Sequence, residues 1–130
     1  MTFKYPARPD VSVLDKLSLK IERSQKIALV GASGCGKSTI TSLLLRFYNQ
    51  QEGQILIDGH PINDYNIKKL RHQIGYVMQE PILFNQTIEE NIKYGKQNAT
   101  NFEVRRACEQ ANALQFIESN IEDLDKAKFE

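Results

Sequence analysis

The nine-residue stretch Gly31-Ala32-Ser33-Gly34-Cys35-Gly36-Lys37-Ser38-Thr39 constrains this chain more than any other feature, because it fits G-x-x-x-x-G-K-[ST] at every fixed position. Glycines at those places let the backbone take positive φ and turn successive amide N–H groups inward, which makes a nest for a phosphate at the start of a helix. The flanks agree with that geometry. Before the loop, Lys26-Ile27-Ala28-Leu29-Val30 is a short apolar run with the length of a buried strand; after it, Ile40, Leu43, Leu44 and Phe47 recur at helical spacing. The expected order is strand, loop, helix. In such a loop Lys37 brings a point charge to the β- and γ-phosphates, the Ser38 hydroxyl is a ligand for Mg²⁺, and Thr39 reaches the α-phosphate. An ordinary glycine-rich turn is the plain alternative, and the strand and helix patterns on either side weigh against it. Cys35 sits where a helix dipole can lower a thiol pKa, but its backbone matters more than its sulfur there.

With 130 residues the chain has room for one domain, since domains commonly run roughly 100 to 200 residues. A charged fraction of 25% beside 41% hydrophobic residues argues against a disordered or fibrous chain. The net charge of +1 offers no field for a polyanion, and Lys68, Lys69 and Arg71 read as a solvated helix face, so no nucleic-acid partner is expected. No apolar run approaches the roughly 18 residues of a membrane span. Cys35 and Cys108 lack metal-ligand spacing and fit a reducing compartment, with Cys108 on the apolar face of a helix beside Val104 and Ala111.

Further along, Val11 to Ile21 alternates apolar and polar residues as a half-buried antiparallel β region would. Ile55-Leu56-Ile57 ends at the turn signal Asp58-Gly59, and Gly75-Tyr76-Val77-Met78 reads as another short strand that breaks at Pro81. Thr87 with Glu90, and Thr100 with Glu103, have capping-box spacing and mark two helix starts. From Glu118 the tail reads as a fraying helix or a point of truncation.

Taken in order, the segments Phe3-Lys4-Tyr5-Pro6, Arg8-Pro9-Asp10, Val13-Leu14, the phosphate loop, Gly53-Gln54-Ile55, Asp58-Gly59, Leu70-Arg71, Val77-Met78-Gln79-Glu80-Pro81-Ile82-Leu83-Phe84 and Thr87-Ile88-Glu89-Glu90-Asn91-Ile92 with Tyr94-Gly95 resemble the nucleotide-binding domain of ABC transporters, of the multidrug-resistance, P-glycoprotein-like exporter type. The resemblance covers the chain up to about Ser119. It implies an α/β fold, an incomplete P-loop NTPase core with an antiparallel β subdomain, in which residues 1–130 form the N-terminal portion of one ATPase domain. Tyr5 would be the aromatic that stacks on adenine, a contact worth about 1–3 kcal/mol per base where aromatics stack on nucleic-acid bases. Gln79 would be the Q-loop glutamine, touching Mg²⁺ or the attacking water, and Pro81, Leu83 and Phe84 would belong to the surface that receives a coupling helix of a transmembrane domain. The implied cofactors are ATP and Mg²⁺, the implied partners a second nucleotide-binding domain and a transmembrane domain, and the implied location the cytoplasmic face of a membrane through a parent transporter.

Some family elements have no counterpart. No glycine follows Gly95, so the L-S-G-G-Q signature loop is absent; Ile55-Leu56-Ile57-Asp58 imitates a Walker B strand but puts Gly59 where the catalytic glutamate belongs, which assigns Asp58 to a turn. His60 and His72 precede Gln79 and take no switch role. The expected activity is therefore ATP binding as part of an exporter ATPase, with Lys37 and Gln79 as its catalytic contributions and no general base. A truncated, non-catalytic nucleotide-binding module is the alternative, and a small P-loop kinase is disfavoured by the Gln79 surroundings.

Overall fold

Gly36 closes the glycine-rich loop in a left-handed conformation (φ 93°), and the chain turns straight into α1 (Lys37–Leu44). A Cβ at Gly36 would meet Leu14 Cδ2 at 2.6 Å and the Val13 carbonyl at 3.0 Å, so conformation and packing both exclude a side chain there. The computed structural model describes residues 1–119, and contacts divide the chain into two compact units, Met1–Gly75 and a second that begins at Tyr76.

In the first unit the N-terminal segment runs antiparallel to two others. Phe3 bridges Leu14, with Phe3 N–H donating to the Leu14 carbonyl at 2.8 Å, and Thr2 bridges Glu52. That pairing turns the Phe3 ring against Leu14 and Leu43, the helical residue whose side chain α1 sends inward; the three are 0%, 6% and 1% exposed and form the core. Ile40, one turn earlier on the same face, packs on the cluster with Met1, Tyr5, Leu17 and Ile55.

α1 stops in a Schellman motif, with Phe47 N–H donating to the Ser42 carbonyl and Arg46 N–H to that of Leu43. The residue in the left-handed position is Arg46 (φ 52°) rather than glycine, which costs conformational energy. Tertiary bonds offset it: Arg46 Nη1 donates to the Tyr65 carbonyl at 2.8 Å, while Arg71 donates through Nε to Leu45 O at 2.8 Å and through Nη2 to Arg46 O at 3.0 Å. The Arg71 guanidinium also lies 4.9 Å from the Phe47 ring centroid. Arg71 is thus a clamp on the end of α1, not merely part of the solvated basic face that its run of charges suggests. Its helix, α2 (Ile67–His72), is capped by the Asn66 side chain, which accepts from Lys68 and Lys69 N–H and faces Leu70 inward.

The Asp58-Gly59 signal forms a two-residue hairpin turn with both residues at positive φ (49° and 80°), joining β1 (Leu56–Ile57) to β2 (His60–Pro61). Asp58 is a turn residue, as its following glycine indicates. The other expected strands differ. Residues 26–30 and 75–78 form no strand among the described residues, leaving Val30 93% and Val77 94% exposed. An apolar run becomes a strand only when neighbours take up its backbone N–H and C=O groups, and no backbone hydrogen bond does so here among the described residues. Likewise Val11–Ile21 bonds to the N-terminal segment at Val13, Leu14 and Leu17 and not along its length. The only sheet among the described residues is the β1–β2 hairpin, so they form no sheet of the incomplete P-loop core that the resemblance implies.

In the second unit both predicted capping boxes are formed: Thr87 opens α3 (Ile88–Lys93) and Thr100 opens α4 (Asn101–Gln110), each threonine hydroxyl accepting from the glutamate amide three residues on while that carboxylate accepts from the threonine amide. α4 also ends in a Schellman motif, with Asn112 at φ 54°, and passes to α5 (Leu114–Ser119). Cys108 is buried on α4, where its helical pattern placed it. The tail expectation beyond Ser119 lies outside the described residues.

Candidate functional site

The phosphate loop owes its shape to what its backbone lacks. Gly34 and Gly36 both stand at positive φ (81° and 93°), and Gly36 as N-cap supplies no side-chain acceptor to the helix behind it. Among the described residues the amides of Gly34, Gly36, Lys37, Ser38 and Thr39 find no backbone acceptor; the first bond of the helix runs from Ile40 N–H to the Gly36 carbonyl. A cluster of open donors at the positive end of a helix dipole is a site for an anion.

Lys37 adds its charge to the same place. Its Nζ donates to the carbonyls of Gly31 and Ala32, each at 2.7 Å, and lies 3.4 Å from the Cys35 sulfur. The ammonium is thereby held against the loop by the loop's own backbone carbonyls. Ser38 is exposed on the first turn, and its hydroxyl makes no hydrogen bond among the described residues. Ala32 and Ser33 are exposed on the outer arc of the loop, as is Cys35, a free thiol.

Thr39 differs from its neighbours. It is 4% exposed, and its hydroxyl is 3.0 Å from the Tyr5 hydroxyl, 34 residues away in sequence. Tyr5 is partly buried on the core cluster, with its ring 5.0 Å from Phe3 at 81° and 5.1 Å from Tyr48 at 89°. The fold therefore brings the proposed base platform to the phosphate-loop helix. Nothing in the spacing of the sequence announced the Thr39 contact. A cavity of about 980 Å³ elsewhere in the first unit runs between residues 16–23 and the β1 hairpin and includes none of the loop residues, so it does not mark this site.

Gln79 belongs to the second unit, on an exposed bend. Ile82 and Leu83 after it are 71% and 70% exposed. Phe84 is organised from α3: the Asn91 carboxamide accepts from Phe84 N–H at 2.8 Å and donates to the carbonyls of Phe84, Gln86 and Thr87, while the Phe84 ring stacks on Tyr94 at 4.5 Å. One asparagine thus closes the loop that displays these apolar side chains, a role that its place in the sequence pattern does not reveal.

The sequence profile described as ABC transporter matches residues 14–128. The chain belongs to the ABC transporter family. It is 52% identical over 117 residues to multidrug resistance protein pgp-1 of Caenorhabditis elegans, covering 90% of this chain and 9% of that protein. ABC transporter B family member 21 of Arabidopsis thaliana is 48% identical over 125 residues, 96% of this chain and 10% of the relative. ABC transporter B family member 3 of Dictyostelium discoideum is 53% identical over 115 residues, 88% and 8%. This ABC transporter sequence spans about a tenth of the length of the curated relatives it matches, and no helix among its described residues is long and apolar enough to cross a membrane.

Proposed function

We propose that the chain is the ATP-binding front part of an ABC-type ATPase that powers transmembrane export. The observation that carries this reading is the conjunction of open amides at the start of α1 with the Lys37 ammonium held over the same loop. Phosphates of ATP would take the amides of Gly34 and of Gly36 to Thr39, and Lys37 would turn from its carbonyls to the β- and γ-phosphates. Tyr5 would offer its ring to adenine. Ser38 fits Mg²⁺ because a hydroxyl is a hard oxygen donor and this one is exposed on the first turn of α1. Gln79, in the second unit, would be the Q-loop glutamine that the resemblance implies. When bound, Mg²⁺ neutralises charge on the β- and γ-phosphates. None of the 130 residues is assigned the role of general base, so the chain's own groups bind and orient the nucleotide.

A second nucleotide-binding domain would close over such a loop and a transmembrane domain would dock near Pro81, Leu83 and Phe84, which would hold the chain at the cytoplasmic face of a membrane. A non-catalytic nucleotide-binding module is the second reading. Isothermal titration of the purified chain with Mg-ATP, beside Lys37→Ala, tests the proposal. Binding is expected for the unaltered chain and lost in the variant, with phosphate release at background in both. Binding that survives Lys37→Ala contradicts it, and Lys37-dependent turnover would show that the catalytic machinery has been misassigned.

A further inference from the structure

Tyr5 is gripped by three groups that come from three different stretches of the first unit. Phe3, fully buried in the core, meets its ring at 81°; Thr39 on α1 meets its hydroxyl at 3.0 Å; and Tyr48, from the segment just past the end of α1, meets its ring at 5.1 Å and 89°. Tyr48 also leans on Phe3, at 5.8 Å and 56°. Near-perpendicular aromatic pairs are directional, because the positive edge of one ring seeks the negative face of the other. Tyr48 is therefore a means of setting the angle of the Tyr5 ring. It does so from the far end of the helix whose first turn carries the phosphate loop, so base platform and phosphate nest are tied to one element. Yet Tyr48 is 40% exposed, and its hydroxyl has no hydrogen-bond partner among the described residues, so no polar network accounts for an aromatic residue at this place.

We infer that Tyr48 is a positioning residue for base recognition: its ring holds Tyr5 in the orientation that receives a purine, and it contributes nothing to the phosphate cradle. The inference rests on the reading of Tyr5 as the adenine platform. It predicts that the preference for ATP over inorganic triphosphate, which shares the phosphates and lacks the base, depends on an aromatic ring at position 48.

Titrating the full chain with Mg-ATP and with magnesium triphosphate, for the unaltered protein and for Tyr48→Leu, Tyr48→Phe and Tyr5→Leu, separates the possibilities. Tyr48→Leu should weaken ATP roughly 3- to 10-fold, the ratio matching one edge-to-face pair, and leave triphosphate affinity unchanged. Tyr48→Phe, which keeps the ring edge, should behave as the unaltered chain. Equal weakening of both ligands by Tyr48→Leu would make Tyr48 a structural residue and overturn the inference, as would no change in either. If Tyr5→Leu leaves the ATP preference intact, the platform reading fails and this inference with it. If Tyr5→Leu abolishes the preference and Tyr48→Leu does not, the inference alone fails. Absence of binding for both ligands to the unaltered chain would refute the two together.

Discussion

Tyr5→Phe removes a single oxygen atom and should destabilise the first unit by more than so small a deletion suggests. The atom lost is the partner of the Thr39 hydroxyl at 3.0 Å, and Thr39 is 4% exposed, so water cannot readily take its place. A buried polar group left without a partner costs about 1–3 kcal/mol. A helical threonine can turn its hydroxyl toward the carbonyl four residues back, here Cys35, and that rotation would put the loss near the lower bound. The reverse change is cheaper. Thr39→Val leaves the hydroxyl of a partly exposed tyrosine within reach of solvent, so its cost should stay below about 1 kcal/mol. Removing both partners should cost less than the sum of the two, with a coupling of about 1 kcal/mol. Urea unfolding followed by far-ultraviolet circular dichroism suits the measurement, since the chain has no tryptophan and the substitution itself alters tyrosine fluorescence. An unchanged slope with a shifted midpoint would place the effect in the folded state. Additive losses, or a Tyr5→Phe variant within about 0.3 kcal/mol of the parent, would refute the hydrogen bond as a structural link.

Arg71→Ala should cost about 1–2 kcal/mol in the same assay, because two bonds to the Leu45 and Arg46 carbonyls just past α1 and the contact with Phe47 go together, and Arg71→Lys should recover little, as an ammonium cannot reproduce the fork. In the second unit, the Lys96 ammonium and then the Thr100 amide hold the Glu103 carboxyl at about 2, below its ordinary 4.5. The unfolded chain therefore takes up this proton at higher pH than the folded one, so the contribution to α4 is complete above about 4.5 and is lost as pH falls toward about 2; amide exchange of α4 across that range should show it, and protection independent of pH would contradict it. Glu90, held down by the Thr87 amide, gives α3 the same direction. Alkylation of exposed Cys35 should block nucleotide binding, saturating ATP should slow the labelling, and Cys35→Ala should make binding indifferent to the reagent; full binding by fully modified protein would show that the loop tolerates the adduct.

The short-range features were legible in the residues themselves. A capping box needs a threonine and a glutamate three apart, a two-residue hairpin turn needs residues that accept positive φ, and a helix start with open amides needs glycines before it; all three are decided within a few residues, and the chain forms them at Thr87, Thr100, Asp58-Gly59 and at Gly34 and Gly36 before α1. What the sequence could not decide were outcomes that depend on a distant partner. The apolar runs at 26–30 and 75–78 have the composition of strands and lack strand pairing among the described residues, because pairing is a property of two segments and not of one. The same holds for single side chains. The motif points Thr39 to phosphate, and only the packing of α1 against the N-terminal segment shows its hydroxyl at Tyr5; the charge run reads Arg71 as part of a solvated face, and only the fold carries it to the end of α1. Asn91 sat unremarked in a run of family residues, and its four bonds to residues 84–87 exist because α3 folds back on the loop that precedes it. Local backbone chemistry was written in the sequence, whereas the identity of each side chain's partner was settled by which segments the hydrophobic core drew together.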